Sequence, residues 1–165
     1  MSVNEYSLAG ELKPLKQCNA EHHAVTGYER TGFCSTHPKD RGRHTVCVNL
    51  NRINNDHVYH SNDSKDQAES ICSLTNQTPW CKEMPKDQKW CICEWAFVSA
   101  LDKLYEIELA KGRGQDQARA HACKALTVDC EATNRRVLTA YRDEIIKLKD
   151  DEKRQRVERA LKCLE

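Results

Sequence analysis

The sequence predicts an α+β fold: a small β-sheet packed by two or more helices, with a C-terminal helical extension. Three observations predict it. Residues 44–50 and 90–93 have the β-branched or alternating character of short strands. From Glu94 onward, apolar side chains recur every three or four positions, which is the period of an amphipathic helix. The length of 165 residues suits one domain with a core of its own and some appended chain.

Taken in order, residues 1–25 read as an irregular lead-in, anchored by Leu8, Leu12 and Leu15 and carrying Cys18. Residues 26–43 hold Thr26-Gly27-Tyr28, Thr31-Gly32-Phe33 and a Pro38 to Gly42 turn, so they form a loop with structure of its own. In the strand that follows, His44, Val46, Val48 and Leu50 share one face while Thr45, Cys47 and Asn49 share the other. Residues 51–76 are a polar connection with a short helix near 66–74, and Trp80, Pro85 and a charged turn lead into the second strand. There Cys91 and Cys93 lie on one face, Trp90 and Ile92 on the other.

A helix is expected from Glu94 to about Lys111, with Phe97, Val98, Leu101, Leu104 and Tyr105 on its buried stripe and Gly112 as its stop. Residues 112–117 read as a flexible link and 125–130 as a third strand. Thr133 or Asn134 can cap the next helix, in which Leu138, Tyr141, Ile145 and Leu148 form a stripe that ends at Asp150-Asp151. The last segment sets Val157, Ala160, Leu161 and Leu164 on a single face among many charges, a pattern that suits docking against a partner protein. This divides the chain into a lead-in (1–25), a cysteine-rich α+β domain (26–149) and a docking helix (150–165).

Composition narrows the function. A net charge of +1, from 26 Lys+Arg against 25 Asp+Glu, provides no basic stripe for nucleic acid. No apolar run reaches the roughly 18 residues that would span a membrane. Residues 1–18 lack both the apolar core of a secretory signal and the Arg-rich, acid-poor character of a transit peptide. The expectation is an intracellular protein, mitochondrial in preference to cytoplasmic, that works among other protein subunits.

Ten cysteines carry most of the chemistry. Cys34, His44, Cys47, Cys91 and Cys93 are soft ligands that can supply four bonds to zinc, although no Cys-x-x-Cys pair occurs and His44 and Cys47 face opposite ways. The plain reading is that the thiols pack as small hydrophobes. In an oxidising space disulfides are open to Cys72 with Cys81, Cys123 with Cys130, and Cys91 with Cys34 or Cys47, and spacing does not choose among connectivities. Cys47 or Cys34 beside His44, with Asp40 orienting the ring, would make a thiolate and base pair. No oxyanion loop or strained elbow accompanies it in the sequence.

The run Thr26, Gly27, Tyr28, Arg30, Gly32, Cys34, Thr36, Pro38, Asp40, Gly42, His44, Thr45, Val46 and Cys47 continues in Pro85, Trp90, Cys91 and Cys93, and in Glu131, Ala132, Thr133 and Asn134. In these positions the chain resembles the bacterial-type family called domain of unknown function 2237, over roughly residues 8–140. The resemblance implies a fold and a pocket around the motif, without an activity. The family pattern ends in a histidine where this chain has Asn134. The resulting expectation is a non-catalytic accessory subunit of a larger assembly, with no catalytic residues and no obligatory cofactor. Its rival is a small zinc- or thiol-dependent enzyme or metal-binding protein.

Overall fold

The computed structural model describes residues 5–19, 25–50, 74 and 88–165. The connection expected over 51–76, its short helix, Trp80, Pro85 and the Cys72–Cys81 pair lie outside the described residues, apart from the buried Leu74. Among the described residues, two strands and four helices follow one another: β1 (Val46–Asn49), β2 (Lys89–Ile92), α1 (Glu94–Ala110), α2 (Gln115–Ala125), α3 (Arg136–Lys147) and α4 (Asp151–Leu164). The architecture is α+β.

β1 and β2 pair antiparallel, with Val46 opposite Ile92, Cys47 opposite Cys91 and Val48 opposite Trp90. Because side chains alternate, this register sorts the two faces. Val46, Val48, Trp90 and Ile92 enter the main core, whereas Cys47 and Cys91 join Cys18, Cys34 and Ala132 in a separate buried cluster. An isolated strand pair is marginal in water and leaves two edges unpaired. Here the edges are closed by side chains and loops. The Cys47 N–H donates to Thr133 Oγ1 at 3.0 Å, the Cys91 N–H donates to Thr26 Oγ1 at 2.8 Å, and Val128 bridges Val48.

The expected stripe of α1 is buried: Phe97, Val98, Leu101, Leu104 and Tyr105 all enter the core, and Gly112 at φ +86° follows the helix end. The segment after it departs from expectation. The link expected over 112–117 gives way at residue 115 to a helix that runs to Ala125, and Val128 contributes one bridge in place of a third strand over 125–130. Only alanines, Ala118, Ala122 and Ala125, make the buried face of α2, so its apolar signal is faint. Asn134 Oδ1 accepts the Arg136 N–H at 3.0 Å near the start of α3. Thr133, the other expected cap, holds β1 instead.

α4 is capped by Asp150, whose side chain accepts the Lys153 N–H at 3.0 Å. Val157, Ala160 and Leu164 are buried, and Leu161 packs against the same core. Asp102 of α1 pairs with Arg156 at 3.2 Å and with Arg159, whose guanidinium sits 4.3 Å from the centroid of the Tyr105 ring. A disulfide joins Cys163 to Cys123 of α2. The face assigned to a partner is therefore taken by the chain's own helices, because those four side chains bury more apolar surface inside the domain than a lone terminal helix could. The pairing of Cys123 with Cys130 gives way for the same reason: α4 brings Cys163 to Cys123 and leaves Cys130 exposed and free.

The lead-in is held against the turn before α3. Leu8 N–H donates to Thr133 O at 3.0 Å, Lys16 N–H to Glu131 O at 3.0 Å, and Arg135 N–H to Tyr6 O at 2.8 Å. Leu15 is buried and Leu8 partly so, but Leu12, expected to anchor, is 81% exposed. Among the described residues no helix is long and apolar enough to cross a membrane.

Candidate functional site

The motif residues divide into two groups on either side of the sheet register. The first is sulfur. Cys18 and Cys47 form one disulfide and Cys34 and Cys91 another, with Cα separations of 5.7 and 5.3 Å. All four side chains are buried. These bonds tie the lead-in to β1 and the 26–43 loop to β2. Of the two partners open to Cys91, the fold selects Cys34; Cys47 is claimed by Cys18, which no local spacing announces. The three sulfurs of Cys18, Cys34 and Cys91 lie within 4.8 Å of one another, so the two disulfides share one pocket of the core.

The second group is polar and surrounds the turn from Asp40 to Thr45. The buried Asp40 carboxylate accepts the backbone N–H of His44 at 2.8 Å and of Arg43 at 3.1 Å, and meets His44 Nδ1 at 2.8 Å. Burial works to raise the Asp40 pKa, yet these hydrogen bonds and the charge of the imidazole bring it below its ordinary value. A carboxylate only accepts, so Nδ1 carries the proton in this contact and Nε2 is the ring nitrogen left clear of Asp40. His44 is 41% exposed, which keeps that nitrogen within reach of solvent. Arg43 adopts φ +50°, a left-handed conformation that a non-glycine residue holds only when its surroundings impose it. Asp40 imposes it from one side, and the Glu94 N–H, 3.2 Å from Arg43 O, from the other.

Cys93 stands directly beside this turn. A Cβ placed on Gly42 would sit 2.8 Å from His44 Cε1 and 3.3 Å from Cys93 Cβ, so the His44 ring and Cys93 both pack against the bare backbone of Gly42 and leave no room for a side chain there. Cys93 is the N-cap of α1, where its Sγ accepts the Ala96 N–H at 3.2 Å, and it is half-buried and free. The expected pair of His44 with Cys34 or Cys47 is thus replaced by Asp40, His44 and Cys93. The five-residue zinc set is likewise split, with His44 and Cys93 apart from the disulfide-bonded Cys34, Cys47 and Cys91.

Glu94, which sequence reasoning passed over, completes the turn. Its carboxylate is buried, accepts Thr45 Oγ1–H at 2.9 Å and Arg43 Nε–H at 2.6 Å, and its carbonyl accepts the Tyr141 hydroxyl at 2.7 Å. Burial pushes its pKa up, against the opposing pull of Thr45 and Arg43. A cleft of about 490 Å³ opens on this side, lined by Thr36, Asp40, Arg43, Thr45, Glu94 and Arg136 among others. The signal for Glu94 was an acid at the first position of a capped helix, where the dipole favours it. Asn134 is fully buried and donates from Nδ2 to Cys34 O at 3.2 Å and to Glu5 Oε1 at 3.0 Å.

Fold and site together define a small disulfide-bonded α+β domain with an Asp–His pair and a free, helix-capping thiol on either side of Gly42. The chain belongs to the family described as an uncharacterized protein conserved in bacteria (DUF2237), whose model matches residues 11–150. No curated protein matches it. The matched stretch runs from the lead-in to the end of α3 and leaves α4 beyond it.

Proposed function

We propose that this protein is a non-catalytic accessory subunit of a larger protein assembly, with a mitochondrial complex as the first setting to try. The observation behind this reading is the use made of the motif: Cys34, Cys47 and Cys91 are consumed in buried disulfides, so the most distinctive part of the sequence serves architecture. Disulfides also favour an oxidising compartment over the cytosol. With the α4 face occupied, contact falls to apolar side chains on the outside, among them Ile146 at 83% exposure and Trp95 at 38%. Trp95 borders a groove of about 340 Å³ that Val98, Leu148 and Val157 line between α1, α3 and α4. Native gels of the source organelle, probed for this chain, test the reading. Migration with a large complex that Ile146→Asp or Trp95→Asp abolishes supports it, and a free monomer in the native extract overturns it.

A second reading, a small thiol-dependent enzyme, is favoured by the Asp40, His44 and Cys93 arrangement. In it His44 takes the Cys93 proton and the sulfur adds to a carbonyl carbon of a substrate bound near the cleft, the C=O π electrons passing to the carbonyl oxygen. Cys130 provides an internal control, since burial and the neighbouring Asp129 charge raise its pKa. Alkylation by iodoacetamide, resolved by peptide, should then run at least about tenfold faster at Cys93 than at Cys130 near neutral pH. His44→Ala should remove that advantage. Equal rates in the parent chain would dismiss this reading and leave the accessory role untouched.

A further inference from the structure

We propose that the four sulfurs of Cys18, Cys34, Cys47 and Cys91 form a redox-governed metal site: two disulfides when oxidised, and one tetrahedral site for zinc or a similar soft divalent cation when reduced. The inference is independent of the accessory role. It differs from the zinc set expected from the sequence by adding Cys18 and excluding His44 and Cys93.

Distance carries the first part of the case. In a four-thiolate zinc site the metal–sulfur bonds are about 2.3 Å, which places the sulfurs about 3.8 Å apart. Cys18, Cys34 and Cys91 already present sulfurs within 4.8 Å of one another, and the Cys47 sulfur is bonded to that of Cys18. Parting the two bonded pairs while drawing the others slightly inward asks for shifts on the order of 1 Å. Those shifts lie within the reach of χ1 adjustments and need no new backbone path.

The backbone carries the second part, because each of the four cysteines is held by a hydrogen bond that does not depend on sulfur. Cys18 N–H donates to Gly32 O at 2.8 Å. Cys34 O accepts from Asn134 Nδ2 at 3.2 Å, Cys47 N–H donates to Thr133 Oγ1 at 3.0 Å, and Cys91 N–H donates to Thr26 Oγ1 at 2.8 Å. Cys47 and Cys91 also face each other across the strand pair. Opening the disulfides would therefore leave the Cys18, Cys34 and Cys91 thiols converging on one buried point, with the Cys47 thiol beside Cys18 turning in as the fourth ligand, and a preorganised set of thiolates is what a structural zinc site requires.

The chemistry balances. Each disulfide takes two electrons and two protons from a dithiol, which closes into its own cyclic disulfide, and each cysteine emerges as a thiol. A divalent cation then displaces the four thiol protons to solvent. Oxidation by a disulfide donor runs the sequence backward and releases the metal, so the two states exclude each other.

The test uses the full-length chain reduced with a dithiol, freed of reductant under anaerobic conditions and titrated with Co²⁺, then Zn²⁺. The expected result is one equivalent of Co²⁺ with the intense visible absorption of tetrahedral cobalt–thiolate, bleached by one equivalent of Zn²⁺. Oxidised chain should show none. Cys18→Ser and Cys91→Ser should each weaken binding by about 100-fold or more, beyond what loss of an outer-shell contact costs. A chain with Cys93, Cys123, Cys130 and Cys163 all changed to Ser should bind as the parent does. Circular dichroism follows the fold throughout. The proposal is overturned if the reduced chain binds no stoichiometric metal, if Cys18→Ser binds as well as the parent, or if reduction unfolds the chain whether or not metal is present.

Discussion

Gly27 shows how little freedom the motif loop has. It sits at φ +92°, and a Cβ there would stand 2.3 Å from the carbonyl oxygen of Phe33, a backbone atom that has nowhere to go. Alanine at this position must adopt an unfavourable left-handed conformation, costing roughly 1–2 kcal/mol, and must also displace the loop. Gly27→Ala is therefore expected to lower stability by more than about 2 kcal/mol in urea unfolding. Gly114, with open space around its Cβ position and an ordinary φ of −67°, is the matched control. Gly114→Ala should change stability by less than about 0.5 kcal/mol. Equal effects at the two sites would mean that the loop yields more easily than its contacts imply.

Among the elements, the two strands and α1 were legible in the sequence because their side chains are large and regularly spaced, and the register places Val46, Val48, Trp90 and Ile92 on the face that alternation assigned them. α2 was not legible, since Ala118, Ala122 and Ala125 bury little apolar surface each and follow directly on the Gly112 to Gly114 turn. The sulfur pairing was legible in kind and hidden in detail: Cys18 meets Cys47 across 29 residues, a proximity that only the docked lead-in creates. Asp40 orienting His44 could be read from the motif, but Cys93 as the adjacent thiol required the strand-to-helix corner. α4 gives the element-scale prediction. Removing it exposes core under Val157 and Leu164, each worth about 1.5–3 kcal/mol of burial. It also removes the Cys123–Cys163 bond, which closes a 40-residue span and contributes about 4 kcal/mol in a chain-entropy account. A chain ending at residue 150 should lose the cooperative thermal transition of the full chain, and Cys163→Ser should lower the midpoint without abolishing it. An unaltered melt of the truncated chain would show that the helix is an appendage after all.

At the scale of the whole molecule, opposed titrations shape stability against pH. Asp40, Glu5 and Asp129 are partly desolvated, which raises their pKa values, but hydrogen bonds from His44, Thr36 and Lys89 outweigh burial and leave all three below their ordinary values of 3.8 for aspartate and 4.5 for glutamate. The unfolded chain then binds more protons than the native one over that range. The stability these groups confer is complete above their ordinary pKa values and lost as pH falls through the lower native ones. Glu94 has the opposite sign: burial raises its pKa, so its ionisation subtracts stability as pH climbs above 4.5. With Asp150 at the α4 cap lowered as well, the balance predicts that urea midpoints fall steeply below about pH 4, with a shallow decline as pH rises above 4.5. Asp40→Ala should flatten part of the acid limb and cost about 2 kcal/mol or more at neutral pH, because it strips a buried acceptor from two N–H groups and the His44 ring. Glu94→Gln should leave the acid limb in place and flatten the neutral decline, since the amide still accepts from Thr45 and no longer ionises. If Asp40→Ala instead keeps the full acid limb, the carboxylate beside His44 is not what holds the turn, and the placement of the imidazole must come from elsewhere in the fold.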